Sequence, residues 1–136
     1  MKRFAFAIAL AVSAGAITVP ALAQPTAHLA PADRYFGRMK MSILGIRNAL
    51  KDLSARADTY PEDAEHVFDK TVLVEDALHD WQAHFPADPW IPRYAFALAQ
   101  LYGKLGFDAA RTRRNEALDW LLATYPESEF SQIPRE

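Results

Sequence analysis

From Tyr94 to Leu105 the chain is apolar at almost every position: Tyr94, Ala95, Phe96, Ala97, Leu98, Ala99, Leu101, Tyr102 and Leu105. The polar residues in it or at its edge are Arg93, Gln100 and Lys104. At ~100° per residue they fall within roughly 40° of one another on a helix wheel. The pattern predicts one helix buried on most sides, with a single narrow polar stripe. Such a helix must be covered on at least two sides, and amphipathic segments precede and follow it. The rest of the chain is therefore read as its cover.

The first residues predict a leader. Met1-Lys2-Arg3 is basic, Phe4 to Gln24 carries no charge, and Ala21-Leu22-Ala23 places Ala at both positions a signal peptidase reads. This is the pattern of a secretory signal peptide over residues 1–23, cut between Ala23 and Gln24. A membrane anchor is the alternative reading of the same run, weakened by its many Ala, by Gly15 and by Pro20. The chain holds no Cys, so neither a lipid-modified Cys nor a disulfide framework is available. A twin-arginine motif is also missing. The expected location is the periplasm or the exterior, by the general export route, with no membrane span once the signal is removed.

Cleavage would leave 113 residues, enough for one domain with one core. The leader carries two basic residues and no acid, so the remainder has 13 bases against 17 acids, a net charge of −4. That balance argues against nucleic acid or an anionic membrane as a general partner.

Within that remainder, residues 24–31 read as a flexible N-terminus and 32–136 as a single helical domain. Ala32 to about Ala57 predicts the first helix, with Tyr35, Met39, Ile43, Ile46, Leu50, Leu53 and Ala57 as its stripe. Thr59-Tyr60-Pro61-Glu62 resembles a capping box opening a second helix that runs to about His84. Its seam is Val67, Thr71, Val74, Leu78, Trp81 and Phe85, spaced alternately four and three. Asp88-Pro89 can open the third helix, with Pro92 awkwardly late, and Gly106 can cap its end. Asp108 is the expected cap of a fourth helix whose apolar side is Ala110, Ala117, Leu118, Leu121, Leu122 and Tyr125. No run alternates with period two and no hairpin turn signal is present. The fold class is all-α: four helices in antiparallel hairpins, either stacked pairs or a four-helix bundle.

One punctuation recurs: Tyr60-Pro61-Glu62-Asp63, Phe85-Pro86-Ala87-Asp88 and Tyr125-Pro126-Glu127-Ser128. Between the last two, Leu98-Ala99, Tyr102, Gly106, Ala109-Ala110, Ala117-Leu118 and Pro126 follow the order of small, aromatic, turn and proline positions in the tetratricopeptide repeat. The stretch from Leu98 to Pro126 resembles one unit of that family. It departs from the motif in carrying Ala99 at the usual glycine and in a longer second helix. The resemblance implies a helical-hairpin scaffold that binds protein partners, here other proteins of a bacterial envelope.

Chemistry has little footing. Asp63-x-x-His66 and Asp76-x-x-His79 have half of a dimetal spacing, but they lie thirteen residues apart on one helix, roughly 140° in rotation, and cannot face one metal. Glu62/His66, Glu75/His79 and Asp80/His84 read instead as i, i+4 pairs on a solvated face. No nucleophile motif, zinc motif or phosphate loop is found, so no cofactor is expected and the reading is non-catalytic. Arg111, Arg113 and Arg114 crowd the start of the fourth helix, the end that disfavours positive charge. With Arg93, Gln100 and Lys104 they form a candidate edge for an acidic segment of a partner; pairing of Arg113 with Glu116 is the plainer account. Trp90, Tyr94, Tyr102, Phe107 and Trp120 are candidates for a ligand pocket between the third and fourth helices. That pocket is the basis of the rival reading, a small-molecule or lipid-binding bundle.

Overall fold

The computed structural model describes residues 40–133. The signal peptide, residues 24–31 and the first part of the predicted first helix lie outside the described residues. Within them the fold is all-α: α1 (Ile43–Thr59), α2 (Ala64–His84), α3 (Ile91–Lys104) and α4 (Asp108–Thr124), with 3₁₀ turns at Pro61–Asp63 and Glu129–Gln132.

The apolar run forms α3 and lies at the centre. It packs against α1, α2 and α4, while α1 and α4 share no comparable interface. The helices are thus an open stack of two hairpins, α1–α2 and α3–α4, not a closed ring in which the first and last helices meet. Leu98, Leu101 and Tyr102 are 1%, 1% and 0% exposed, as a helix apolar on most sides requires. Arg93, Gln100 and Lys104 remain at the surface. The α2 seam is buried from Val67 through Trp81, with Phe85 half-buried at its end.

The recurring aromatic–proline punctuation is one structural device used three times. Tyr60, Phe85 and Tyr125 each leave a helix with φ near −131°, −137° and −132°. Each still donates its N–H to the carbonyl four residues back, at 2.8, 2.8 and 2.9 Å. The proline that follows excludes helical geometry for the aromatic residue before it. Three residues on, Asp63, Asp88 and Ser128 return an N–H to the aromatic's carbonyl at 3.0, 2.9 and 3.0 Å. The α3–α4 turn is different: Gly106, at φ +77°, takes the left-handed conformation that ends a helix cheaply only at glycine.

Four boundary expectations are corrected. Within the described residues α1 begins at Ile43, where Ser42 Oγ accepts the Gly45 N–H at 3.0 Å and caps it, so the expected helix does not run unbroken through Ser42. Thr59 does not open α2; it is the last residue of α1, and its hydroxyl donates to the Ala55 carbonyl. Pro92 is not late, since α3 starts at Ile91 and Pro92 occupies the first turn, where a missing N–H costs nothing. Asp108 lies inside α4, after the Phe107 cap residue. On α4, Leu122 is 44% exposed, so it does not belong to the apolar side.

Candidate functional site

The polar stripe of α3 does not face open water alone. It forms one wall of a groove whose other wall is α1. Ile43, Leu44 and Arg47 lie opposite Trp90, Arg93 and Tyr94 around a hollow of about 410 Å³. Arg47, Leu50, Lys51 and Ser54 lie opposite Tyr94, Ala97, Gln100 and Lys104 around a second hollow of about 470 Å³. Arg47 and Tyr94 belong to both, so the hollows are continuous. The pairing rises together along both helices, and Lys104 meets Asp58 beyond the second hollow at 2.6 Å. Helices α1 and α3 are therefore parallel. From Leu44 to Asp58 the groove runs fourteen residues, about 21 Å at 1.5 Å per residue.

Its electrostatics are one-sided. Four cations line the two hollows, Arg47, Lys51, Arg93 and Lys104, and no carboxylate does. Among the described residues, no acid lies within ion-pair distance of Arg47, Lys51 or Arg93; Lys104 has Asp58. The Arg93 guanidinium stands 5.7 Å from the centroid of the Trp90 ring. Trp90 is 47% exposed and, with the exposed Leu44, puts apolar surface at the first end of the groove beside Arg47 and Arg93. Below it, Asp88 is buried; it accepts the Trp90 N–H at 3.1 Å and the Trp81 indole N–H at 3.2 Å. Those two bonds fix where Trp90 enters α3.

The sequence-predicted basic edge is divided by the fold. Arg93, Gln100 and Lys104 line the groove. Arg111 instead donates to the Gly106 carbonyl at 2.9 Å and pairs with Asp108. Arg113 lies 3.6 Å from Glu75 and 3.8 Å from Glu116. The stem of Arg114 runs past Gly103, 3.4 Å from where a Cβ there would lie. The charges of Arg111 and Arg113 at the start of α4 are thus compensated locally. The aromatic candidates are divided too. Trp90 and Tyr94 face the groove, Phe107 packs against Phe68 at 5.3 Å, and Trp120 lies edge-on to His79 at 4.4 Å.

Tyr102 is wholly buried, and its hydroxyl donates to Glu75 Oε2 at 2.7 Å. The expected solvated Glu75/His79 pair is corrected accordingly: Glu75 is 6% exposed, because α3 brings Tyr102 and α4 brings Arg113 over it. Burial raises the Glu75 carboxyl, but the His79 ring 3.9 Å away, the hydrogen bond from Tyr102 and the charge of Arg113 outweigh it and hold the group below the ordinary carboxylate range. Burial, then the bond to Glu75, pushes the Tyr102 hydroxyl far up. This cluster ties α2, α3 and α4 together.

Arg47 and Lys51 were not among the sequence candidates, although a signal was present. Leu44, Arg47, Lys51, Ser54 and Asp58 recur at steps of three and four, on the flank of the apolar stripe of α1. No protein-family model matches the chain, and no curated protein or solved structure is significantly similar to it. Among the described residues, no helix is long and apolar enough to cross a membrane.

Proposed function

We propose that this protein is a non-catalytic, exported scaffold of tetratricopeptide-like hairpins that docks a segment of another envelope protein in the α1–α3 groove. The observation that carries the reading is the groove itself: two parallel helices, about 21 Å of open channel, and a lining of Trp90, Tyr94 and four cations. Two stacked hairpins place the first helix of each side by side, the arrangement that the resemblance around Leu98–Pro126 implies. Export rests on Met1–Ala23. An open channel of this length suits a chain better than an enclosed small molecule, which pockets bury on most of its surface.

The test is position-dependent crosslinking in intact cells. A photoreactive residue at Ser54, on the α1 wall, should give a protein adduct that Arg47→Glu with Lys51→Glu removes. The same residue at Asn115, exposed on α4, should give none. Adducts that ignore position, or survive the charge reversal, would defeat the reading.

A further inference from the structure

The groove has a polarity along its length, and that polarity specifies an occupant. Resting on the docking role proposed above, we infer that the α1–α3 groove takes an extended acidic segment with an apolar residue at one end. That residue seats between Leu44 and Trp90, and carboxylates follow about three and about six residues along. The spacing comes from the walls. Lys51 lies seven residues beyond Leu44 on α1, about 10 Å. Lys104, level with Asp58, lies about 21 Å along. An extended chain advances ~3.3 Å per residue, so its third and sixth residues after the anchor reach these two cations. Arg47 stands between the anchor and Lys51 and meets the same carboxylate from the other side.

Charge complementarity names the class of partner. A chain with more acids than bases collects four cations and no carboxylate along one channel. Asp58 then has a further role. It reaches Lys104 from outside the second hollow, in the place a ligand carboxylate would take, and so competes with the far end of the segment. Removing it should strengthen binding, an effect that a merely structural ion pair would not give.

The experiment uses purified protein and three labelled heptapeptides, read by fluorescence anisotropy. The first is Leu-Ser-Gly-Glu-Ser-Gly-Glu, the second has both Glu next to Leu, and the third carries Gln for Glu. The first should bind at least tenfold tighter than the third and severalfold tighter than the second. Lys51→Glu should cost tenfold or more, Trp90→Ala should weaken all three peptides, and Asp58→Asn should tighten the first alone, with unchanged helicity by circular dichroism throughout. Equal binding of the first two peptides overturns the spacing; indifference to Glu against Gln, or weaker binding by Asp58→Asn, overturns the acidic occupant. If Ser54 crosslinks in cells while these peptides fail, the occupant is wrong and the docking role stands. If both fail, both readings fall.

Discussion

Replacing Tyr102 with Phe probes the joint between α2, α3 and α4 with the loss of one oxygen. The hydroxyl it removes donates at 2.7 Å to the buried Glu75 carboxylate. The other charged partners stand at 3.6 Å (Arg113) and 3.9 Å (His79), too far to replace it as hydrogen bonds. A bond to a charged acceptor contributes about 1.5–3 kcal/mol, so the variant should lose about 2 kcal/mol near neutral pH. At a urea dependence of ~1–3 kcal/mol per molar, the midpoint falls by about 1 M. Trp fluorescence reads the transition, since Trp81, Trp90 and Trp120 belong to this core and its rim. The pH dependence has a definite sign. The Glu75 carboxyl is held below its ordinary value in the folded chain. Its contribution is therefore present above the unfolded carboxylate value and is lost as pH falls through the folded one. The deficit of Tyr102→Phe against the parent should shrink over the same acid range. A loss below about 0.5 kcal/mol near neutral pH, or one equal in acid, would refute this account of Glu75.

Substitutions at four further positions test the packing and the turns. Leu98→Ala, at a position 1% exposed in the centre of α3, should cost about 2–5 kcal/mol by calorimetry; a loss under 1 would mean that this face is wet. Asp88→Ala removes both the bond to the Trp90 N–H and the partner of the Trp81 indole. It should cost about 2 kcal/mol in urea and more than Asp88→Asn; equal losses would mean these bonds contribute little. Gly106→Ala should destabilise by about 1 kcal/mol because φ is +77° there, whereas Gly103→Ala should stabilise by about 0.5–1. An added Cβ at Gly103 meets only the flexible Arg114 stem at 3.4 Å, so thermal melts of the same sign would contradict the turn geometry.

What was legible in the sequence was local periodicity. The apolar run of α3 and the seam of α2 declare their burial because every residue in them obeys one period. The ends were less legible, because a polar residue with the spacing of a cap can be engaged elsewhere in the fold. Thr59 has the spacing of a cap, yet its hydroxyl is taken by the Ala55 carbonyl once α1 extends to meet it. Ser42, inconspicuous in sequence, caps α1. Glu75 sits on α2 where a wheel drawn for that helix alone points it outward; only α3 and α4 together bury it. The groove was half legible for the same reason. Arg93, Gln100 and Lys104 stand out against an apolar helix, whereas Arg47 and Lys51 join them only through the parallel pairing of α1 with α3. Arg111 and Arg113 were conspicuous by their placement at a helix start, and local acids account for them.

That parallel pairing is what the groove, its polarity and its occupant all depend on, and the absence of cysteine makes it directly measurable. Spin labels would be placed in pairs, at Ser54 with Gln100 and at Leu44 with Gln100, and the interspin distances compared. Ser54 and Gln100 line one hollow, while Leu44 lies ten residues, about 15 Å, further along α1. The account predicts the shorter distance for Ser54 with Gln100, by on the order of 5–10 Å. A shorter distance for Leu44 with Gln100 would mean antiparallel helices, Trp90 near the end of α1, and no such groove.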